Sequence, residues 1–211
     1  MFSLKKLFGR DDKFFDLLEG AAQEARASVE LLGRYLQGVA EGPAPPLDEF
    51  VQARRREKRI RQQMTEALGR TFVTPLDRED IEALSFALYR VPKQVEKVVE
   101  RLSIFPGRPP VAALQRQADL LRQAADSVAF MVGRLRHGAA MAQIAEANDR
   151  LQFAEGEADK VMLGLLQDLY RSAADAKELV LLQDLYEMIE QAVDRCRNAG
   201  NVVVQIALKN S

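Results

Sequence analysis

Apolar and small residues recur at spacings of three and four in six separate segments of the chain. In the third segment, for example, the pattern runs Ile81, Leu84, Leu88, Val91 and Val95. Such spacing is typical of an α-helix that buries one stripe of its surface. No segment has the pattern of a β-strand. The chain is therefore predicted to be all-α, with six helices.

Turn-forming residues separate the predicted helices at residues 42–46, 71–77, 106–110 and 173–175. The clearest break, from Pro106 to Pro110, lies at the midpoint of the chain. Long helices with short connections favour antiparallel bundles packed at shallow angles. We therefore predict two three-helix repeats, over residues 1–106 and 107–211, that form one elongated bundle.

An internal repeat of about 100 residues supports this division. The segment 186–191 matches the segment 89–94, with the tyrosine and the final glutamine kept at the same places. The separation is 97 residues for the third and sixth helices and 101 residues for the second and fifth. Five matched positions are basic in the first repeat and acidic in the second: Arg56 and Glu157, Lys58 and Asp159, Arg90 and Glu187, Lys93 and Glu190, and Lys97 and Asp194.

The overall composition narrows the classes of partner. The formal net charge is −1, so the whole chain has no general attraction to nucleic acid or to acidic membranes. No apolar run approaches the roughly 18 residues that a membrane-spanning helix needs. The single cysteine, Cys196, lies on an apolar stripe, where we expect a small core residue. With no secretory signal visible, we expect a cytoplasmic protein without nucleic-acid partners.

The acidic positions of the sixth helix lie on one face. Glu187, Glu190 and Asp194 follow i, i+3, i+7 spacing. Glu155 and Asp159, an i, i+4 pair, can join them only if the fifth helix turns that face inward. Such a set of carboxylates would bind a hard cation, namely Mg²⁺, Ca²⁺, Mn²⁺ or iron. The alternative is an ordinary solvated helix face.

The strongest block of charge is the run from Arg54 to Arg61 on the second helix. Glu57 interrupts this run and falls on the apolar stripe of its helix, between Ala53 and Ile60. The predicted anion-binding or partner-binding residues are Arg54, Arg55, Arg56, Lys58, Arg59, Arg90 and Lys93. They would hold phosphate, polyphosphate, an acidic lipid headgroup or an acidic partner.

Two alternatives for the basic run stay open. It can be a solvated surface paired with nearby acids such as Asp48 and Glu49. It can also pack on the acidic second repeat, either in the same molecule or in a neighbouring copy, with ion pairs in place of a metal. The N-terminal stretch with Phe2, Leu4 and Leu7 can dock on a partner or membrane surface, or cover the end of the bundle.

No catalytic motif accompanies these charged faces: the chain has no glycine-rich phosphate loop and no nucleophile elbow. We therefore expect a protein that is not an enzyme.

Four segments carry a resemblance to a known family, and together they span nearly the whole chain. They are Phe14–Glu19, Thr71–Ile81, Glu155–Asp159 and Tyr186–Asn210. The chain resembles the PhoU-like accessory proteins associated with Pit-type inorganic phosphate transporters. The segment that reads Thr-Pro-Leu-Asp-Arg-Glu-Asp is the most specific of these motifs.

The resemblance implies two three-helix bundles, a cytoplasmic location with peripheral contact at the inner face of the membrane, and a role in phosphate uptake through a Pit-type permease. Homo-oligomers are also expected. It implies metal ligands in the second repeat, at Glu155, Glu157, Asp159, Glu187, Glu190 and Asp194. At the matching places of the first repeat the chain has Arg56, Lys58, Tyr89, Arg90 and Lys93. The resemblance therefore implies at most one metal face, beside one basic face.

Overall fold

The computed structural model describes residues 4–42, 45–138, 141–172 and 174–210, and it describes side chains from residue 12 onward. Within these ranges the chain forms six helices and no strand. The helices are α1 (Leu4–Glu41), α2 (Asp48–Arg70), α3 (Arg78–Ser103), α4 (Val111–Leu135), α5 (Met141–Arg171) and α6 (Ala176–Lys209). The predicted all-α fold is confirmed.

Glycine and an acidic cap define several helix ends. Gly138 follows α4 with a φ of 69°, and Gly107 has a φ of 80° in the loop before α4. Both values lie in the left-handed region, where a residue without a Cβ avoids steric strain. At the start of α6, the carboxylate of Asp175 accepts a hydrogen bond of 2.8 Å from the backbone amide of Glu178. These local signals keep the connections short, and sequential helices pack side by side within each repeat.

Four helices, α1, α3, α4 and α6, form the centre of the molecule, and α2 and α5 flank it. In the described part of the chain, α2 packs only on α1 and α3, while α5 packs only on α4 and α6. The apolar stripes of all six helices join in one hydrophobic core. Cys196 is buried in it, as expected, and burial raises the pKa of its thiol to about 12.

The two repeats meet along α3 and α6, which run antiparallel. Near one end, Lys209 of α6 contacts Asp80 of α3 at 2.8 Å, and near the other, Arg101 contacts Asp184 at 2.9 Å. At the middle, the Gln94 amide donates to the Gln191 side-chain oxygen at 3.3 Å. Gln94 and Gln191 are equivalent residues of the two repeats, 97 positions apart. An approximate two-fold axis therefore passes between them.

The same relation holds between α1 and α4. Arg26 contacts Asp126 at 2.6 Å, and Arg136, at the end of α4, contacts Glu19 of α1 at 2.8 Å. These contacts require α1 and α4 to run antiparallel as well. A two-fold axis that relates antiparallel helices in both layers must be perpendicular to the helices. Equivalent surfaces of the two repeats therefore lie on the same face of the molecule, one on each side of the α3–α6 contact.

Candidate functional site: two grooves of opposite charge

The groove between α5 and α6 collects carboxylates from both helices, and we call it the acidic groove. Its members are Glu155 and Asp159 from α5, with Glu187, Glu190 and Asp194 from α6. The pKa of Glu190 is raised to about 7, first by burial and then by the neighbouring Asp194, Asp159 and Glu155. Helix α5 therefore turns its acidic pair toward α6. Four of the six predicted ligands interact electrostatically.

The other two predicted ligands already have partners. Glu157 pairs with Lys160, one turn further along α5, at 2.7 Å. Glu187 is half-buried and accepts a hydrogen bond of 2.8 Å from the side chain of Gln183. A hard cation would therefore meet mainly Glu155, Asp159, Glu190 and Asp194.

The residue types in the acidic groove suit a metal ion, but the positions of their side chains do not. Four carboxylates are the ligand type that hard cations prefer. However, no group of three or more His, Cys, Asp or Glu side chains in the described part of the chain is arranged so that it could hold a metal ion. Metal binding would require these side chains to rotate toward one another. The predicted metal site stays a prediction.

The equivalent groove between α2 and α3 is basic and aromatic, and we call it the basic groove. Its members are Arg54, Lys58 and Arg61 from α2, with Phe86, Tyr89, Arg90, Lys93 and Lys97 from α3. Arg54 is bound on three sides: it donates to Glu96 at 2.8 Å, to Glu57 at 3.0 Å and to the Tyr89 hydroxyl at 3.2 Å. Arg54 therefore ties α2 to α3.

Glu57 is the buried acid beneath this groove, with 2% of its surface exposed. Burial raises the pKa of its carboxyl to about 7, although Arg54 and Arg61 oppose the shift. The break in the apolar stripe at Glu57 thus corresponds to a buried carboxyl paired with Arg54 at 3.0 Å.

The remaining cations of the basic groove surround two stacked rings. The rings of Phe86 and Tyr89 lie 6.4 Å apart between centroids. The Arg61 guanidinium lies 4.5 Å from the Tyr89 centroid and 5.4 Å from the Phe86 centroid. Arg90 stands 5.8 Å from Phe86, and Lys93 stands 5.8 Å from Tyr89. Cation–π contacts of this kind hold the positive charges at the surface of the groove.

The basic run does not act as one surface. Arg54 and Arg61 point toward α3, whereas Arg56 points toward α1 and binds Glu24 at 2.9 Å. Arg55, Lys58 and Arg59 are exposed. The described ion pairs of the run go to Glu24, Glu57 and Glu96 rather than to Asp48 or Glu49, and Glu49 pairs with Arg34.

Four members of the groove were not among the predicted site residues: Arg61, Phe86, Tyr89 and Lys97. Phe86 precedes Tyr89 by three positions and Arg90 by four. That spacing places all three on one helix face. Arg61 follows Arg54 by seven positions, two helical turns, which places it on the same side of α2.

The predicted N-terminal docking segment, with Phe2, Leu4 and Leu7, lies outside the described side chains. Among the described helices, none combines the length and the apolar character needed to span a membrane.

Comparisons with known proteins agree with this architecture. The chain is 25% identical, over 98% of its length and 97% of the relative, to the "Putative pit accessory protein" of Rhizobium meliloti strain 1021. It is 22% identical to the UPF0111 protein YkaA of Bacillus subtilis strain 168, over 70% of this chain and 72% of the relative. No family model matches the chain.

A solved structure shows the same fold. The crystal structure of a PhoU-like protein from Shewanella oneidensis MR-1 superimposes with a TM-score of 0.75, over 93% of this chain and 99% of the other, at 17% identity. The six helices of the present chain thus have a PhoU-like arrangement. The resemblance to PhoU-like Pit accessory proteins, expected from the sequence motifs, is confirmed by a full-length relative and by the fold.

Proposed function

We propose that this protein is a non-enzymatic accessory of a Pit-type inorganic phosphate permease, and that it works at the cytoplasmic face of the membrane. The observation that carries the proposal is the match to a pit accessory protein over 97% of that relative's length. A match of that extent includes both repeats, so the whole chain corresponds to the relative rather than one shared module.

The surface chemistry supports a binding role. Two grooves of opposite charge lie on one face, and each offers a row of charged side chains along a helix. Rows of this kind select partners by charge complementarity and steer their encounter. A permease loop that carries either sign of charge would find a complementary groove on this face.

The test is phosphate uptake in cells from which this gene has been deleted. We expect the initial rate of radiolabelled phosphate uptake to change and to return to its original value when the gene is supplied on a plasmid. The permease should also copurify with the tagged protein from detergent-solubilised membranes. An unchanged uptake rate, at equal permease abundance, would contradict the proposed function.

Metal binding by the acidic groove is a separate part of the proposal. Elemental analysis should be done on protein incubated with Mn²⁺ or Fe²⁺ and desalted, for wild type and for Glu190→Ala/Asp194→Ala. The matched control is Asp119→Ala/Asp149→Ala, which removes two acids from elsewhere on the second repeat. Metal that is retained by wild type and control and lost in the groove variant would support the site. Equal, negligible metal in all three proteins would exclude it.

A further inference from the structure

The basic groove carries positive charge that the molecule itself does not neutralise. Lys58, Arg61, Arg90, Lys93 and Lys97 form no ion pair with a carboxylate in the described part of the chain. Phe86 lies among them with 49% of its surface exposed. An exposed aromatic ring beside arginine side chains is the composition that is enriched in protein–protein interfaces.

The acidic groove is its counterpart in charge. Glu155, Asp159, Glu187, Glu190 and Asp194 form no ion pair with a described basic side chain. Each of these five acids is the repeat equivalent of a basic-groove member: Arg54, Lys58, Arg90, Lys93 and Lys97, in the same order. Of those five basic residues, Arg54 alone has a described ion pair. The two rows on α3 and α6 have identical i, i+3, i+7 spacing, so three opposite charges can meet in register.

The two grooves cannot neutralise each other within one molecule. They lie on the same face, on opposite sides of the α3–α6 contact, because the two-fold axis passes through Gln94 and Gln191. The described ion pairs between α3 and α6 lie near the helix ends, outside both rows. A shallow pocket of about 730 Å³, separate from the two named grooves, lies on this face, and its lining includes Lys97, Met188 and Gln191. This face is therefore open to another molecule.

We propose that the basic groove of one copy of this protein binds the acidic groove of a second copy. Charge complementarity, position by position and at equal spacing, selects the second copy over an unrelated acidic partner. Phe86 and Met188 supply apolar contact beside the charged rows, and Met188 is half-buried on α6. Because both grooves lie on one face, two copies that face each other can pair each basic groove with the acidic groove of the other copy, which closes as a two-fold dimer; a one-sided contact would instead build a ring or an open chain.

The experiment uses charge reversal in the full-length protein. The first variant is Arg90→Glu/Lys93→Glu, which changes the net charge of the α3 row (Arg90, Lys93 and Lys97) from positive to negative. The second is Glu190→Lys/Asp194→Lys, which changes the net charge of the α6 row (Glu187, Glu190 and Asp194) from negative to positive. The control is Arg116→Glu/Arg122→Glu, which makes the same charge change on exposed residues of α4. Circular dichroism of each protein establishes that the helices are retained.

Molar mass is then measured by sedimentation velocity at about 100 µM protein, where a micromolar Kd populates the complex. The buffer contains EDTA and about 0.05 M NaCl, so that screening is weak. We expect wild type and control to associate and each groove variant to sediment as a monomer. An equimolar mixture of the two groove variants should associate again, because an acidic and a basic groove are then restored to each other. Association should weaken at least tenfold in about 0.5 M NaCl.

Three results would overturn the proposal: a monomeric wild type under these conditions, groove variants that associate as wild type does, or a mixture that stays monomeric. Binding of monomeric wild type to anionic phospholipid vesicles, lost in Arg90→Glu/Lys93→Glu, would assign the basic groove to a lipid surface instead. The phosphate-uptake test is independent of these results, since a monomeric protein can still assist a permease.

Discussion

In the groove between α2 and α3, charged side chains of opposite sign join the two helices. The groove between α5 and α6 instead collects carboxylates that repel one another. In the first repeat, Arg54 joins Glu57, Glu96 and Tyr89 in one network across the two helices. In the second repeat, Glu155 stands where Arg54 does and has no described ion pair. Burial, then Asp194 and Asp159, and least of all Glu155 raise the pKa of Glu190. The same helix arrangement thus contains one groove whose two helices are joined through Arg54, and one whose carboxylates have no described basic partner.

The largest difference between the grooves should follow removal of Arg54. Arg54→Met leaves Glu57 buried without its main partner, so we expect the free energy of unfolding to fall by about 3 kcal/mol at pH 8. The matched change, Glu155→Met, relieves repulsion in the acidic groove and should alter stability by less than about 0.5 kcal/mol. Urea denaturation of both variants measures the two values. Equal losses of unfolding free energy in the two variants would contradict the contrast between the grooves.

The pH dependence of stability should respond to salt differently for Glu57 and for Glu190. The pKa values of Glu57 and Glu190 are both raised from 4.5 to about 7 in the folded protein. The folded state therefore binds more protons than the unfolded state within this range, and the free energy of unfolding should decrease as the pH rises from 4.5 to 7. Glu57→Gln and Glu190→Gln should each remove part of this slope.

Burial is the largest cause of the shift for both groups, but acidic neighbours add to it chiefly at Glu190. The contribution of Glu190 should therefore shrink in about 0.5 M NaCl, and that of Glu57 should hardly change. Chemical denaturation between pH 4.5 and 8, at low and high salt, tests this difference. A Glu57 contribution that falls with salt as steeply as that of Glu190 would contradict it.

A smaller difference is expected at the two-fold axis. Gln94 is buried and donates to Gln191 and to the backbone oxygen of Met188, whereas Gln191 is exposed. Gln94→Leu should lower the free energy of unfolding by about 1 kcal/mol, and Gln191→Leu by less than half of that. A double-mutant cycle on thermal or urea unfolding gives the coupling between them. Zero coupling would show that their contact contributes nothing to joining the repeats.

The smallest expected effect concerns the two equivalent tyrosines. Tyr89→Phe removes the hydroxyl that accepts from Arg54 and should reduce stability by about 0.5 kcal/mol. The hydroxyl of Tyr186 has no hydrogen-bond partner among the described residues, so Tyr186→Phe should have no measurable effect. A larger loss at Tyr186 than at Tyr89 would reverse this part of the comparison.

The sequence predicted the fold because helical periodicity depends only on neighbouring residues. The six apolar stripes indicated all six helices, and the four predicted breaks fall in four of the five connections. The row of Glu187, Glu190 and Asp194 followed from spacing alone. The meeting of that row with Glu155 and Asp159 was left open, since it depends on how α5 is rotated about its own axis. Packing against α4 and α6 sets that rotation, and packing is not a local property.

The basic run shows why the remaining site residues could not be predicted from the sequence. Successive residues of a helix point about 100° apart, so neighbours in a charged run must face different surfaces. Arg54 reaches α3, while Arg56 reaches Glu24 of α1. The burial of Glu57 likewise depends on how α2 packs on α1 and α3, although its pairing with Arg54 follows from i, i+3 spacing on one helix. Charge density along the chain therefore groups side chains that face different helices, and it omits the rings of Phe86 and Tyr89 beside Arg61.

The contact between Gln94 and Gln191 has a consequence for evolution. If each repeat were a separate, identical chain, a mutation in one half would appear in the other, and both grooves would keep the same sign of charge. The covalent connection through residues 104–110 removes that constraint. Each half is then free to change alone, so a single gene can encode two surfaces of complementary charge.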